Sequence, residues 1–124
     1  MYAILEMRGS EGETYHVYFL YRAAGVYLAC TCRAGAFGKL CRHKLALLRG
    51  DPTALQDQIQ KPLLQEIRTC LDQSPVIALC DDLQDVEERL DLLQQETKVL
   101  KAAIELQVTN IRPNAKIWKT LQNP

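Results

Sequence analysis

The stretch that decides the fold is CTCRAGAFGKLCRH, residues 30–43, in which three cysteines and one histidine form a C-x-C-x8-C-x-H array. Zinc prefers four tetrahedral ligands, at about 2.3 Å for sulfur and about 2.0 Å for nitrogen. The array therefore predicts a zinc site with the ligands Cys30, Cys32, Cys41 and His43. Because four protein ligands leave no open coordination position, we expect a structural site rather than a catalytic one.

The spacing within each pair predicts how the ligands converge. Residues i and i+2 of a strand point to the same face, so Cys30 and Cys32 are expected to reach one ion from a strand end. Residues two apart on a helix point about 200° apart, so the second pair cannot lie on one regular helix face. We therefore place Cys41 in the loop before a helix and His43 in its first turn, with turn-forming glycines between the two pairs.

Other interpretations of the cysteines are open. Cysteine also serves as a small buried hydrophobic residue, but three cysteines and a histidine within fourteen residues fit that role poorly. An iron–sulfur cluster usually recruits four thiolates, so zinc is preferred to iron. The odd cysteine count, in a chain with no recognisable secretory signal, argues against a disulfide framework. Cys70 and Cys80 are expected to be core thiols.

The residues around the array predict strands before it and a helix after it. Segments 2–7 and 14–21 are rich in β-branched and aromatic residues and predict a hairpin, and segment 26–32 predicts a third strand. Segment 33–39 contains turn-forming glycines, and segment 40–49 has the leucine spacing of a helix. The expected fold class is α+β.

The remainder of the chain has helical patterns. Gly-Asp-Pro at residues 50–52 is typical of one helix ending and another beginning. We expect that helix to run through Leu55 and Ile59, with Pro62 kinking or restarting it. After Ser-Pro at residues 74–75, an unbroken helical pattern extends to about residue 108. The predicted organisation is a finger domain at 1–50, a helical region at 51–110 and a basic tail at 111–124.

The last helical pattern contains a coiled-coil seam. Apolar residues alternate in steps of three and four over four heptads, interrupted by Thr97. The seam could pair with another chain or fold back against residues 53–72. Because it is longer than that segment, we expect a homodimer through residues 76–104. Acidic residues dominate its first half and lysines lie in its second, which favours antiparallel pairing.

The net charge is zero, but the charges are unevenly distributed. Residues 1–50 carry seven Lys/Arg and three acidic residues, whereas residues 51–110 carry five Lys/Arg and twelve acidic residues. No acidic residue lies between Glu13 and Asp51. Four basic residues around the predicted ligands are therefore candidates for phosphate contact; they are Arg33, Lys39, Arg42 and Lys44. The same cations could instead serve only to keep the cysteines as thiolates.

The C-x-C and C-x-H pairs, with strands before and a helix after, resemble the SWIM zinc finger over about residues 14–50. The resemblance carries the four ligand positions over to Cys30, Cys32, Cys41 and His43. The family occurs in Mutator-type transposases, helicase-like ATPase proteins and recombination accessory proteins, and it implies binding to DNA or protein rather than a reaction. The catalytic domains that usually accompany the finger do not fit in this chain.

The sequence argues against several classes of protein. The chain has 124 residues, of which 48% are hydrophobic and 24% charged, so a folded domain is expected and wholesale disorder is not. No stretch approaches the roughly 20 apolar residues of a membrane span, and we expect an intracellular protein without membrane partners. Nucleotide-binding, nucleophile-elbow and metalloprotease motifs are absent from the sequence, so we expect no enzyme.

The predicted function follows from the finger and the long helix. We expect a non-enzymatic zinc protein that binds nucleic acid, DNA rather than RNA, through the basic finger and oligomerises through the helix. The alternative is a protein–protein adaptor in which zinc is purely structural, for example an accessory subunit of a larger DNA-processing assembly.

Overall fold

The structure is a computed structural model and describes residues 1–122. Within these residues the chain forms three β-strands and five α-helices, which confirms the predicted α+β class. The chain divides into two compact units, Met1–Leu83 and Gln84–Pro124. Within the described residues, no helix combines the length and the apolar character needed to cross a lipid bilayer.

The first unit is built on a three-stranded antiparallel sheet in the order β1-β2-β3. Its strands are β1 (Tyr2–Arg8), β2 (Thr14–Arg22) and β3 (Gly25–Cys30). Alternate residues of β1 are buried, as expected for a sheet with one face on the core. Val17 in the central strand lies opposite Leu5 on one side and Cys30 on the other. The predicted hairpin is confirmed, and its register aligns the end of β3 with the core.

The helices are α1 (Arg33–Ala36), α2 (Arg42–Arg49), α3 (Lys61–Cys70), α4 (Pro75–Gln107) and α5 (Lys116–Gln122). The third strand is shorter than predicted, because it ends at Cys30 and Cys32 becomes the N-cap of α1. The segment expected to be only a turn therefore contains one turn of helix. Gly50 ends α2 in the left-handed region at a φ of 67°, as the Gly-Asp-Pro junction predicts.

The prediction of a helix through Leu55 and Ile59 is wrong. Two short 3-10 turns replace it, and each follows an aspartate whose carboxylate accepts a backbone N–H hydrogen bond. Such local bonds compete with a regular helix for the backbone. Leu55 is fully buried and forms an antiparallel bridge with Met7, and the N–H group of Gln56 donates to the carbonyl oxygen of Glu6. The segment thus follows the outer edge of β1.

The core of the first unit takes side chains from both sides of residue 50. The sheet and α2 contribute fully buried residues, and so do the segments that follow; the largest are Phe19, Leu5, Met7, Leu47, Leu55, Leu64, Ile67 and Leu71. Cys80, near the start of α4, belongs to the same core, and Cys70 is half-buried. The predicted boundary at residue 50 therefore falls inside this unit.

Helix α4 spans 33 residues, close to the predicted extent. The backbone N–H of Val76 donates to the hydroxyl of Ser74, which supports the predicted start. Every residue from Asp81 to Gln107 is exposed. The tail predicted at 111–124 contains α5, which the sequence analysis did not predict, and residues 123 and 124 lie outside the described part.

Candidate metal centre

Four side chains converge where β3, α1 and α2 meet. Cys30 ends β3, Cys32 and Cys41 are the N-caps of α1 and α2, and His43 lies in the first turn of α2. Their potential ligand atoms all lie within 4.8 Å of one another, and all four residues are buried. The sulfur of Cys30 lies 3.8 Å from Nδ1 of His43. The structure thus brings the four predicted ligands within metal-binding distance.

Backbone N–H groups point at each of the three sulfur atoms. The N–H of Cys32 donates to Sγ of Cys30 at 3.5 Å, that of Gly35 to Sγ of Cys32 at 3.2 Å, and that of Lys44 to Sγ of Cys41 at 3.4 Å. Hydrogen bonds donated to sulfur favour the thiolate over the thiol. They also fix the direction in which each sulfur points, as outer partners do in metal sites.

The pKa values of Cys30 and Cys32 are shifted in opposite directions. Burial raises the pKa of Cys30 to about 12. Burial also disfavours the Cys32 thiolate, but hydrogen bonds from the Gly35 N–H and the neighbouring thiols of Cys30 and Cys41 hold the pKa of Cys32 below its ordinary value. Negative charge is therefore easier to place on Cys32 than on Cys30. A cation at the centre would allow the others to ionise, because metal binding displaces their protons.

His43 is held in the neutral form that a metal requires. Burial lowers the pKa of His43, the positive charge of Arg42 lowers it further, and the backbone of Arg8 acts in the opposite direction. The ring of Tyr15 covers the imidazole, with centroids 5.1 Å apart and planes inclined by 48°. Tyr15 was not predicted from the sequence as part of the site; its place two residues before the buried Val17 of β2 was the available signal.

Gly35 permits the close approach of α1 to β3. A Cβ atom at this position would lie 2.6 Å from both Cβ and the carbonyl oxygen of Cys30. The carbonyl belongs to the strand backbone and has little room to move. The sequence predicted Gly35 as a flexible turn residue, whereas the structure shows that the absence of a side chain is what allows α1 to seat its N-cap sulfur beside Cys30.

The four basic residues predicted for phosphate contact occupy two kinds of position. Arg33, Lys39 and Arg42 are exposed. Lys44 is only 5% exposed, and its Nζ donates a hydrogen bond of 2.8 Å to the carbonyl oxygen of Lys39. Lys44 is therefore not part of the exposed basic surface that was predicted, because its ammonium group is used to hold the loop before α2.

Two further residues border these exposed cations. Phe37, the C-cap of α1, is 74% exposed and lies four residues after Arg33. Glu13 lines the same depression as Arg33 and Arg42, beside the candidate ligands Cys32, Cys41 and His43. Arg33, Arg42 and Glu13 thus line one depression beside the cluster, and Phe37 and Lys39 are exposed on the segment that joins the two pairs of ligands.

No protein-family model, no curated protein and no solved structure matches this chain. The chemical description of the site therefore rests on its own donors, their burial and the backbone groups around them.

Proposed function

We propose that the protein is a non-enzymatic, zinc-binding protein of the SWIM zinc-finger type that binds nucleic acid, DNA in preference to RNA. The contact is made by a basic surface, defined as Arg33, Phe37, Lys39 and Arg42. One observation carries the proposal: the three cations are exposed around a buried cluster of metal ligands, on a segment, residues 14–50, that contains no acidic residue.

Zinc fits the donor set of the cluster. Three thiolates and an imidazole are soft and borderline donors, which zinc accepts, whereas magnesium and calcium prefer oxygen. Sulfur and nitrogen ligands of a tetrahedral zinc lie about 3.6 Å apart, close to the 3.8 Å between Cys30 Sγ and His43 Nδ1. Bound zinc would join β3, α1 and α2. Four protein ligands leave no position for a substrate, which supports a structural role.

The basic surface offers phosphate contacts that need no sequence readout. Cations neutralise phosphates and release counterions, which gives affinity that falls as salt rises. The hydrogen bond from Lys44 fixes the backbone at Lys39, so the Lys39 side chain starts from an ordered position. An ordered loop loses less conformational entropy on binding than a mobile one.

Phe37 favours single-stranded over duplex nucleic acid. An exposed aromatic ring beside cations is the usual platform on which unpaired bases stack, at about 1–3 kcal/mol per base. A duplex keeps its bases stacked inside and would engage only the three cations. We therefore propose single-stranded DNA as the preferred ligand.

The test is a titration of the zinc-loaded full chain with a labelled single strand of about 16 nucleotides at several salt concentrations. Charge reversal at both Arg33→Glu and Lys39→Glu should weaken binding at least tenfold and lower the salt slope by about two. Arg22→Glu is the matched control, because Arg22 is exposed and lies at the other end of β2 from the cluster. It should change the affinity by less than about twofold. Absence of binding by the unaltered protein at about 50 mM salt would overturn the proposal.

A separate pair of variants tests whether Phe37 stacks on unpaired bases. Phe37→Ala should weaken single-strand binding about tenfold and duplex binding by much less. Ile59→Ala removes another highly exposed apolar side chain, 82% against 74% for Phe37, outside the basic surface and should leave both affinities unchanged. Equal losses for single strand and duplex would remove stacking from the proposal and leave phosphate contact in place.

The second candidate is a protein–protein adaptor, for example an accessory subunit of a larger DNA-processing assembly. Exposed apolar residues along α4 favour it, because such residues mark interaction surfaces. In an adaptor the metal centre serves only to stabilise the fold. A full chain that retains its metal but binds no nucleic acid at low salt would favour the adaptor.

A further inference from the structure

Helix α4 carries an apolar seam that is exposed along its length. Val76, the first residue of the predicted seam, packs against the core of the first unit. The other seam residues apart from Thr97 are between 37% and 66% exposed; they are Leu79, Leu83, Val86, Leu90, Leu93, Leu100 and Ile104. They repeat at the a and d positions of a heptad, which is the pattern by which two helices interlock. A stripe of this size left in water marks an interaction surface.

We propose that the seam pairs with the same seam of a second copy of this chain, as an antiparallel two-stranded coiled coil. In that orientation an a residue of one helix packs beside a d residue of the other. The register with the most complete set of layers places Leu90 beside Leu93 of the second copy. Its outermost layers join Leu79 and Ile104, so the contact runs about 40 Å along the helix. Thr97 then lies opposite Val86 of the second copy, and the two threonines stay apart.

The charged residues beside the seam select this register. Arg89 and Glu96 occupy g positions, which face the g positions of an antiparallel partner. With Leu90 beside Leu93, Arg89 faces Glu96 of the second copy, and symmetry repeats the pair. Both contacts join opposite charges at the edge of the interface, which is how flanking residues set partner and orientation.

The competing arrangements bring like charges together. Shifting the antiparallel register by one heptad in one direction sets Arg89 against Arg89 of the second copy, and a shift in the other direction sets Glu96 against Glu96. A parallel pair would place Asp82 beside Glu87 of the second copy, twice. Like charges at these positions oppose association.

A second apolar stripe does not extend the assembly. Leu92, Val99 and Leu106 are exposed at another heptad position, confined to the C-terminal half of α4. In an antiparallel pair, the second stripe of one chain and the second stripe of the other lie at opposite ends of the coiled coil. A third or fourth helix would therefore find no continuous apolar face, which limits the assembly to two chains.

The first experiment measures the mass of the full chain by sedimentation equilibrium without nucleic acid. We expect twice the chain mass of 14.1 kDa. Leu90→Asp should raise the dimer Kd at least about 100-fold, because it places a charge in the centre of the interface. Leu92→Asp is the matched control, because it places the same residue two positions away at a leucine of similar exposure, 58% against 54% for Leu90. It should leave the dimer intact.

A monomer or an assembly of more than two chains in the unaltered protein would overturn the proposal. So would a Leu92→Asp variant that dissociates while Leu90→Asp does not, since the second stripe would then be the interface.

The second experiment tests orientation by exchanging charges. Arg89→Glu alone or Glu96→Arg alone should raise the Kd about tenfold, because each change creates two like-charge contacts per dimer. The double variant exchanges the partners and should return the Kd to within about twofold of its original value. In a parallel pair Arg89 would face Gln94 and Glu96 would face Lys101, so the double variant would stay weak. That outcome would overturn the antiparallel orientation.

Discussion

The ammonium group of Lys44 donates a hydrogen bond of 2.8 Å to the carbonyl oxygen of Lys39. The two lysines differ in exposure, because Lys44 is buried within α2 whereas Lys39 lies on the surface. One lysine therefore fixes the backbone from which the other presents its charge. Under the proposed function, the two lysines, five positions apart, are expected to have separable roles in stability and in phosphate contact.

Because these roles are separable, we expect replacement of lysine by methionine to affect stability at position 44 and the salt slope of DNA binding at position 39. Lys44→Met should lower the free energy of unfolding by about 1–3 kcal/mol, because the bond to Lys39 is lost, and should leave the salt slope of DNA binding unchanged. Lys39→Met should leave stability within about 0.5 kcal/mol and lower the salt slope by about one. Urea denaturation and DNA titration over a range of salt measure both quantities. A salt slope reduced equally by the two variants would place Lys44 in contact with phosphate.

Removing the metal should destabilise the unit Met1–Leu83. Zinc binding contributes on the order of 10 kcal/mol to small zinc domains, and the cluster joins three elements of this unit. Chelation or Cys41→Ser should therefore lower its melting temperature sharply. Cys70→Ser is the control, because Cys70 is a free thiol outside the cluster. Elemental analysis of freshly purified protein should find one equivalent of zinc, and less than half an equivalent would contradict the assignment.

Gly35→Ala should impair the metal centre although residue 35 supplies no side-chain ligand. The new Cβ would lie 2.6 Å from the backbone carbonyl oxygen of Cys30, so α1 must move away from β3. We expect a loss of about 1–3 kcal/mol in stability and a clear drop in zinc affinity. Gly12→Ala is the comparison, because position 12 has a φ of 86° with open space around it. It should cost stability through backbone strain and leave zinc affinity unchanged, as competition with a zinc chelator can measure.

Neutralising Glu13 should strengthen nucleic-acid binding. Its carboxylate lines the depression shared with Arg33 and Arg42, where it would repel a phosphate bound by these cations. Glu13→Gln should raise the affinity for single-stranded DNA about threefold at low salt, with the difference shrinking as salt rises. Glu66→Gln, an exposed carboxylate on α3, should have no effect. An unchanged affinity for Glu13→Gln would mean that DNA does not follow this depression.

Leu55→Ala should destabilise the first unit even though it lies beyond the predicted finger. Leu55 is fully buried and bridges to Met7, so truncation leaves a cavity in the core that β1 shares. The expected loss is about 2–5 kcal/mol in the free energy of unfolding. Ile59→Ala, at an 82% exposed position on the same segment, should change it by less than about 0.5 kcal/mol.

The features that were predictable from sequence depend on short spacings. The hairpin, the long helix and the convergence of Cys30, Cys32, Cys41 and His43 follow from alternation, heptads and ligand spacing within a few residues. The position of Leu55 could not be predicted in this way. Its bridge to Met7 joins distant parts of the chain, and that tertiary contact prevails over a weak local helical pattern.

The position of Lys44 shows a second limit. A cluster of basic residues indicates a basic surface, but the cluster does not indicate which cation turns inward. That choice depends on where an unpaired carbonyl group lies in the folded loop, here at Lys39. The packing role of Gly35 was missed for a similar reason, because the distance between α1 and β3 is a property of the assembled fold.

The segment that follows α2 also covers the outer edge of β1, which is an edge strand of the sheet. The carbonyl oxygen of Glu6 accepts a hydrogen bond from the N–H of Gln56, and the N–H of Glu6 donates one to Oε1 of Gln60. Met7 forms a β-bridge with Leu55. An uncovered strand edge presents free N–H and C=O groups that recruit strands of other molecules and lead to aggregation. Cutting the chain at residue 50 would expose this edge of β1. A soluble fragment for isolating the candidate metal centre should therefore retain the residues up to Leu83, although all four candidate ligands lie before residue 44.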